Sequence, residues 1–413
     1  MKERCIISID LKSFFASVEC VKRGYDPFKI PLVVCDTSRG EAGMCLAVSP
    51  YLRNLGVKSR CRLFELPKNI KIIKAKPRMR LYEEYSNKVM NIYKTFVANE
   101  DIHIYSIDEA FLDVTNYLNY YKLKPYELAL KIMRTVKDKT GLTTTAGIGP
   151  NIFLAKVAMD IEAKHDKNCI AVWTYQDIEN KLWKITPLSK IWGFGRRIEQ
   201  KLNNLKIYSV GDINKYNRDF YIKRFGKVMG NDIWSKANGI DFTTIDDLNT
   251  ESKDKSMSMS QILNRDYLPD EAILIMKEMN DLLNEKLRHM NLTTKLISLT
   301  IRYSRVFCKK FTDTVSLNVS EDNKEKIYEV LKYMYYKNIE DLPIRQVCIH
   351  YGRLSPKKYT QLNLFDNVNI KNNEFDNYID KLNNKLGRTT ILRASSLLEN
   401  STIKNRERFK NMI

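Results

Sequence analysis

The sequence predicts an α+β protein of several domains, and three observations support this prediction. The chain has 413 residues, which exceeds the size at which one hydrophobic core usually divides into domains. It is 44% hydrophobic and 29% charged, a composition typical of folded chains. Strand-like and helix-like segments alternate through residues 1–172, and the character of the sequence then changes twice. We therefore expect a multidomain α+β fold.

The amino terminus predicts a strand, a tight turn and a helix. The run "CIISID" is β-branched and ends at Asp10. The segment "SFFASVECVKR" follows, with apolar residues at helical spacing behind Ser13 as a possible N-cap.

The segments up to residue 172 continue this alternation. We expect strands at "IPLVVCD", "GMCLAVS" and "LTTTAGIG", and helices at "PYLRNLGV", "RLYEEYSNKVMNIYKTFV" and "YELALKIMRTVKDKTG". The runs "DIHIYSI" and "AFLDV" are separated only by Asp108 and Glu109. They predict a hairpin with these two acids at its turn.

Three further regions follow. Residues 173–245 contain short helical segments joined by glycine turns, and residues 246–253 are polar and charged, as in a linker. Residues 254–354 contain helix-like and alternating strand-like runs, which predict a second α+β domain. Residues 355–413 are a polar tail that contains "QLNLF".

The chain is strongly basic, with 69 Lys and Arg residues against 49 Asp and Glu residues and a net charge of +20. This excess favours a polyanionic partner. A host whose proteins are generally rich in Lys and Asn would show the same excess, so charge alone leaves both explanations open.

Cysteine and histidine usage does not indicate a zinc site. The eight cysteines are scattered without a C-x-x-C pair, and there are four histidines, whereas zinc sites need closely spaced ligands. Cysteines in apolar runs are typical of reduced thiols. No run approaches the ~20 apolar residues of a membrane span. We expect a cytoplasmic protein with no membrane partner.

Asp108 and Glu109 are adjacent carboxylates within an apolar run. Burying them requires a cation or a hydrogen-bond network. If the strand ending at Asp10 pairs with this hairpin, three carboxylates meet at one end of a sheet. Such a pocket suits Mg²⁺, and two ions about 4 Å apart can promote phosphoryl transfer. The alternative is an exposed turn with two solvated acids.

Three motifs carry a resemblance to a known family. The segments "SIDLKSFFASVE", "YSIDEAFLDV" and "TAGIGPNIFLAKVAMD", in this order and at these separations, resemble the Y-family translesion DNA polymerases of the DinB/UmuC type. The resemblance implies a right-hand polymerase with four domains, a linker and a tail. These are a ferredoxin-like palm (1–22 and 77–172), small fingers (23–76), a helical thumb with a helix-hairpin-helix (173–245), a linker (246–253), an α+β little finger (254–354), and a tail (355–413) with a clamp-binding motif.

In that family the three carboxylates hold two Mg²⁺ ions, and the primer 3′-hydroxyl attacks the α-phosphate of a dNTP. The resemblance assigns catalysis to Asp10, Asp108 and Glu109. It assigns metal binding to the same three residues and to the backbone carbonyl of Leu11.

The resemblance also implies nucleotide contacts. Phe15 matches the steric gate that excludes a ribose 2′-hydroxyl, and Phe14 beside it is assigned to the same site. Arg53 matches an arginine that contacts the triphosphate. Relatives often carry a phosphate-contacting tyrosine three positions before that arginine, where this chain has Pro50. Tyr51 stands one position later and is assigned to the same contact. Lys164 lies one residue further from Asp160 than in the family pattern D-x-x-K-P, so its triphosphate role requires a local shift.

Two regions are assigned to DNA. The segment "IWGFGRRIEQKLNNL" has the pattern of a helix-hairpin-helix, and its DNA-binding residues are Gly193, Gly195, Arg196 and Arg197; a plain interhelical turn has the same pattern. The segment "TIRYSRVFCKKF" predicts a basic strand that contains Arg302 and Arg305. Its alternative is a solvated sheet face.

The tail motif resembles the bacterial sliding-clamp-binding consensus, with Gln361, Leu362, Leu364 and Phe365 as the contact residues. A packing segment of the little finger is the alternative for this motif.

The resulting hypothesis is an error-prone, low-processivity, Mg²⁺-dependent polymerase for translesion synthesis in the SOS and DNA damage response. Its partners would be primer-template DNA, dNTP, the sliding clamp and an accessory recombinase filament or UmuD-like protein, in a bacterial nucleoid. A nucleotide cyclase and a noncatalytic DNA-binding or checkpoint protein with a vestigial palm site are the competing hypotheses.

Overall fold

The computed structural model describes residues 4–250, 255–357, 369–387 and 390–403, with the backbone only for 38, 39 and 369–374. The chain divides into two compact units, Met1–Thr250 with Met412–Ile413, and Glu251–Asn411. In the described residues, no helix is both long and apolar enough to cross a membrane.

The elements of the first unit are eight strands and eleven α-helices within the described residues. The strands are β1 (Ile6–Leu11), β2 (Leu32–Cys35), β3 (Cys45–Val48), β4 (Ile73–Ala75), β5 (Ile102–Ile104), β6 (Glu109–Asp113), β7 (Thr144–Gly149) and β8 (Ile170–Val172). The helices are α1 (Phe14–Lys22), α2 (Pro50–Asn54), α3 (Met79–Tyr93), α4 (Tyr117–Tyr121), α5 (Pro125–Thr140), α6 (Ile152–Ala158), α7 (Asp177–Asn180), α8 (Arg196–Asn203), α9 (Arg218–Phe225), α10 (Lys227–Ala237) and α11 (Ile245–Asn249).

The predicted palm contains a sheet in the order β5-β6-β1-β7-β8, in which only β7 and β8 pair in parallel. Alternation along β1 separates its side chains onto two faces. Ile7 and Ile9 enter the core formed with α1, α3 and α5. Ile6 packs on the opposite face against α6, and Asp10 has the same parity as Ile6. The side chain of Asp10 therefore belongs to the α6 face.

The fingers contain a small sheet in the order β3-β2-β4. Its core includes three buried cysteines, Cys35, Cys45 and Cys61. Ser49 caps α2 by accepting a hydrogen bond from the backbone of Leu52, and Pro50 occupies the first helical position, as the sequence predicted.

The predicted thumb contains α7 to α11 with short 3₁₀ turns between them. Its core surrounds Leu202 of α8 and Tyr221 of α9, both fully buried. The helix α11 begins at a capping box formed by Thr244 and Asp247, so part of the predicted linker is helical. The division between the two units falls after Thr250.

The second unit contains β9 (Lys255–Tyr267), α12 (Pro269–His289), β10 (Leu292–Tyr303), β11 (Lys310–Glu321), α13 (Lys324–Asn338), β12 (Ile344–Pro356) and α14 (Asn369–Leu386). Its antiparallel sheet has the order β11-β10-β12-β9. The helices α12 and α13 cover one face through a core that includes Leu299 and Ile301. The opposite face carries half-buried or exposed Ser and Thr side chains, including Ser298, Thr300 and Thr312.

Part of the predicted tail packs on this domain. Arg288 of α12 donates two hydrogen bonds to Asp380 of α14, at 2.7 and 3.1 Å. Arg393 pairs with Asp281 of α12 at 2.8 Å. The described part of residues 369–403 therefore extends the fold of the second unit.

Two local expectations were wrong. Ser13 precedes α1 but its side chain caps no backbone N–H. Its φ of 48° places it in the left-handed region, which differs from the extended backbone of an N-cap serine. The run "TIRYSRVFCKKF" is interrupted, because β10 ends at Tyr303 and β11 begins at Lys310. Arg305 therefore lies in a turn.

Candidate active site

The ends of two neighbouring strands bring two of the predicted catalytic acids together. Asp10 of β1 lies directly opposite Glu109 of β6 in the antiparallel pairing. Residues directly opposite each other share one face of a sheet. Both carboxylates therefore belong to the face that α6 covers.

Asp108 occupies the turn that precedes β6. Its carbonyl accepts a hydrogen bond from the N–H of Leu11 at 2.9 Å, and its Oδ1 accepts one from the hydroxyl of Ser106 at 2.7 Å. The prediction that Asp108 and Glu109 together form the hairpin turn was wrong, because Glu109 is the first residue of β6. The reason is that the backbone N–H groups of Tyr105 and Ser106 both donate to the Glu109 carbonyl, which closes the hairpin earlier.

Lys156 supplies the counter-charge for the buried acid. Its Nζ lies 2.5 Å from Oε1 of Glu109 and 3.2 Å from Oδ2 of Asp160. The side chains of Lys156 and Glu109 are 6% and 10% exposed. A buried carboxylate without such a partner would cost several kcal/mol, so the ion pair explains how Glu109 is tolerated there.

The helix α6 carries Lys156 close to the sheet because β7 contains two glycines. A Cβ atom at Gly147 would lie 2.2 Å from the carbonyl oxygen of Ala155, and one at Gly149 would lie 2.5 Å from the Ala155 nitrogen. Side chains at either position would force the helix away. The segment "TAGIG" therefore sets how near Lys156 comes to the acids.

A π-helical turn continues α6 and positions Lys164. The turn spans Met159–Ala163, and the N–H of Lys164 donates to the carbonyl of Met159 at 3.1 Å. A π-helical turn holds one residue more than an α-helical turn. It therefore provides the local shift that the spacing from Asp160 required. Nζ of Lys164 lies 2.8 Å from Asp10 and 2.7 Å from Asp160.

Burial dominates the electrostatics of the acids. It raises the pKa of the Asp10 carboxyl above its ordinary value although Lys164 opposes the shift, and the charge of Asp108 adds to it. Burial likewise raises the pKa of Glu109 against the effect of Lys156. For Lys164, burial lowers the pKa, but Asp10 and Asp160 outweigh it and the net pKa is raised. The lysine is therefore charged at neutral pH.

The donor chemistry of this sheet end fits divalent cations. Asp10, Asp108 and Glu109 offer carboxylate oxygens, and Leu11, whose side chain is buried, offers its backbone carbonyl. Oxygen donors suit Mg²⁺. Burial raises the pKa of Asp10 and of Glu109, and a nearby cation would favour the ionised form of each. Among the described residues, no three acidic, His or Cys side chains already converge as a ligand set.

The nucleotide-binding candidates occupy different environments. Phe15 is half-buried and stacks on Tyr82, with ring centroids 4.5 Å apart and 15° between the planes. Phe14 is 3% exposed within the palm core, so its position supports packing rather than contact with a nucleotide. Arg53 of α2 is exposed, and Tyr51 is half-buried against the core of the fingers. Their nucleotide contacts stay predictions.

The thumb candidates surround the start of α8. Gly195 is the N-cap residue and Arg196 and Arg197 begin the helix. Gly193 has a φ of 90°, a left-handed conformation that favours glycine. All four residues are exposed. Gly195 has no side chain, so it does not cap the first backbone N–H groups of α8.

In the second unit, Arg302 is exposed on β10 and lies directly opposite Lys310 of β11. Like charges directly opposite each other destabilise a sheet, so this pair favours an anionic partner. Arg305 is exposed in the following turn. The clamp-binding candidates Gln361, Leu362, Leu364 and Phe365 lie outside the described residues.

Three family models match the chain. The impB/mucB/samB family model matches residues 9–160, its C-terminal domain matches residues 254–364, and the helix-hairpin-helix model of the same family matches residues 175–207. Together they cover more than half of the chain and, apart from Ser8 at the start of the first, all three motifs quoted above. The chain belongs to the impB/mucB/samB family, the Y-family DNA polymerases. Membership of this family makes it a DNA-directed DNA polymerase by class.

Two relatives and one solved structure illustrate the family. The chain is 34% identical to the putative UV-damage repair protein UvrX of Bacillus subtilis, covering 95% of this chain and 93% of the relative. It is 30% identical to DNA polymerase IV of Clostridium acetobutylicum, covering 96% and 98%. A Y-family DNA polymerase chimera, Dbh-Dpo4(243-245)-Dbh, matches with a TM-score of 0.68 and 22% identity, covering 85% of this chain and 99% of that chain. This likeness confirms the predicted right-hand fold.

Sequence reasoning missed two neighbours of the candidate residues: Lys156, which pairs with Glu109, and Tyr82, which stacks on Phe15. Lys156 gave a usable signal, because it is the one charged residue in the apolar run "IFLAKVAM", and a buried lysine requires a partner. Tyr82 gave no comparable signal, since its spacing is that of an ordinary core residue of α3.

Proposed function

We propose that this polymerase performs error-prone translesion synthesis by two-metal nucleotidyl transfer from a dNTP to a primer 3′-hydroxyl. The observation that carries the proposal is the register of Asp10 with Glu109, with Asp108 held beside Leu11 at the same sheet end. The family membership supports the class of reaction.

The residues of the chain have distinct roles in this proposal. Asp10, Asp108, Glu109 and the carbonyl of Leu11 would hold two Mg²⁺ ions. When bound, these ions supply activation of the attacking hydroxyl and stabilisation of the leaving pyrophosphate. Lys156 favours the ionised form of Glu109 against the effect of burial and holds its side chain in place.

Lys164 and Arg53 would bind the triphosphate. The ammonium of Lys164 lies 2.8 Å from Asp10 and 2.7 Å from Asp160, so it is held at the site and would contact phosphate oxygens of the nucleotide. Arg53 is exposed on α2 and offers a planar guanidinium for bidentate phosphate contacts.

Phe15 would exclude the ribose 2′-hydroxyl as the steric gate. Low fidelity and lesion bypass follow from the small fingers, which enclose the nascent base pair loosely in this family. The SOS and DNA damage response would be the setting, with the enzyme in the bacterial cytoplasm at the nucleoid.

The basic surfaces would grip primer-template DNA through its phosphates. The exposed start of α8, with Arg196 and Arg197, suits backbone contacts that carry no sequence information. The sheet face with Arg302 and Lys310 provides a second such surface. The motif at residues 361–365 would tether the enzyme to the sliding clamp and raise its effective concentration at the primer end. A recombinase filament or a UmuD-like accessory protein is a further proposed partner.

A noncatalytic DNA-binding protein is the alternative. The observation that favours it is the neutralisation of Glu109 and Asp10 by Lys156 and Lys164, an arrangement that a vestigial site would also show. A site of this kind would bind DNA without turning over nucleotides.

Primer extension separates these functions. Purified protein, a labelled primer-template, dNTPs and Mg²⁺ should yield extended primers, and a template with an abasic site should still be copied past the lesion. DNA binding without extension would contradict the proposal and support the noncatalytic alternative. Formation of cyclic nucleotide from an NTP without DNA would instead support a cyclase.

A further inference from the structure

A buried charged cluster joins α1 to the start of α3 beside Phe15. Its centre is Glu19 of α1, which is fully buried. The residues around it are Arg23 at the end of α1, Arg78 before α3, and Tyr82 within α3. The catalytic chemistry described above uses none of these four side chains.

Glu19 is held by three donors. Arg78 forms a two-pronged contact, with Nε 2.9 Å from Oε1 and Nη2 2.5 Å from Oε2 of Glu19. Arg23 forms a further ion pair with Oε2. The hydroxyl of Tyr82 donates to Oε1 at 2.8 Å. Burial would raise the pKa of Glu19, but these hydrogen bonds outweigh it and lower the pKa, so the carboxylate is a permanent acceptor at neutral pH.

The cluster fixes the orientation of one ring. Tyr82 is fully buried, and its ring is held at two places: by the hydroxyl contact with Glu19 and by the stack with Phe15, at 4.5 Å and 15°. Phe14 contacts both rings edge-on or tilted, at 5.5 and 6.4 Å. A ring held only by apolar packing can slide or tilt, whereas a charge-assisted hydrogen bond defines the position of its edge.

We infer that Glu19, with Arg78 and Tyr82, is a positioning device that sets the tilt of Phe15 and thereby the discrimination of the polymerase between deoxyribose and ribose. The inference rests on the proposed role of Phe15 as the steric gate. A gate that rejects one hydroxyl group must be placed to within a fraction of an ångström, because a small displacement of the ring opens the space that the hydroxyl requires. A direct contact of Glu19 with the nucleotide is not needed.

The test compares incorporation of dNTP and rNTP by single-nucleotide primer extension, reported as the ratio of kcat/KM for the two sugars. Tyr82→Phe retains the ring and removes only the hydroxyl that meets Glu19. Glu19→Gln retains an acceptor but removes the charge. Both should lower the ratio by at least about threefold, by increasing the relative use of rNTP.

Two further variants calibrate this result. Tyr117→Phe removes the same kind of bond elsewhere in the palm, since the Tyr117 hydroxyl donates to Asp101 at 2.6 Å, and it should leave the ratio unchanged. Phe15→Ala tests the gate itself and should lower the ratio most. If Tyr82→Phe fails to fold, Arg78→Gln at the 42% exposed end of the cluster takes its place, with the same expected direction.

The outcomes distinguish this inference from the function on which it rests. A purely structural role for Glu19 would reduce the use of both sugars in proportion and leave the ratio unchanged, and that result would overturn the inference while Phe15→Ala still lowers the ratio. If Phe15→Ala does not lower the ratio, the gate assignment fails and the inference fails with it. Absence of any extension by the unmodified chain would refute the proposed function first.

Discussion

Lys156 of α6 and Glu109 of β6 form a buried ion pair, with 2.5 Å between Nζ and Oε1. The pair occupies the face to which Asp10 also belongs. The ammonium group of Lys156 therefore balances the charge of the Glu109 carboxylate within the folded chain itself.

Removal of this cation should destabilise the protein. Lys156→Met preserves much of the volume but leaves Glu109 without its main partner, and breaking a buried pair from one side costs about 3–5 kcal/mol. Urea unfolding at neutral pH measures this loss. Lys167→Met, at an exposed lysine in the following loop, is the matched control and should change the free energy of unfolding by less than about 0.5 kcal/mol. Equal stability of the two variants would contradict the account.

The stability of the unmodified chain should depend on pH in a defined direction. The folded-state pKa values of Asp10 and Glu109 are raised, so the folded protein binds these protons more tightly than the unfolded chain does. The two acids therefore lower the free energy of unfolding as pH rises from their ordinary pKa values through the raised ones.

Unfolding followed from pH 4 to pH 7 checks this dependence against the Asp10→Asn variant, in which the contribution of Asp10 is absent. The slope assigned to Asp10 is the difference between the two curves. A difference that rises with pH in favour of the unmodified chain would have the wrong sign for a raised pKa.

Lys164 should act on the nucleotide rather than on DNA. Lys164→Ala removes the ammonium that the π-helical turn brings to Asp10 and Asp160, and we expect about a tenfold increase in KM for dNTP, the value of one charge-assisted contact of about 1.4 kcal/mol. Steady-state single-nucleotide incorporation measures it, and Lys167→Ala serves as the control. An unchanged KM for dNTP would remove Lys164 from the triphosphate site.

The pair of Arg302 and Lys310 should contribute to DNA binding through counterion release. The double substitution Arg302→Ala with Lys310→Ala should weaken binding to any duplex sequence and reduce the slope of log K against log salt by about 1 to 2, roughly one unit for each phosphate contact. Fluorescence anisotropy at several salt concentrations gives the slope. Lys286→Ala, at an exposed position of α12 on the helical side of the domain, should leave it unchanged; equal slopes for all three proteins would reject the sheet face as a DNA surface.

The sequence predicted the elements of the palm well because its strands are short apolar runs with clear boundaries. It also predicted that Asp10 would come beside an acid of the hairpin, and Asp10 lies directly opposite Glu109, because strand pairing fixes both positions. It misplaced the hairpin turn, because the two hydrogen bonds to the Glu109 carbonyl are a tertiary detail. It did not anticipate the approach of α6, which depends on Gly147 and Gly149 meeting the backbone of Ala155.

Other features depended on contacts between distant segments. The spacing of Lys164 from Asp160 indicated that the backbone must accommodate one extra residue. It did not indicate that a π-helical turn would do so. The cluster around Glu19 joins α1 to α3 across 59 residues of sequence, and no local pattern reports such a pairing. The packing of α14 on α12 likewise depends on ion pairs such as Arg288 with Asp380. The polar composition of residues 355–413 does not predict which charged residues will pair.

The most direct test of the central claim is primer extension by Asp108→Asn, measured together with DNA affinity. The substitution keeps the size of the side chain and removes one negative charge from the sheet end. The account predicts that extension falls by at least about a thousandfold, as expected when the metal-binding charge is lost, while the Kd for primer-template stays within about twofold. Extension at the unmodified rate would contradict the assignment of the carboxylates at this sheet end as the catalytic site.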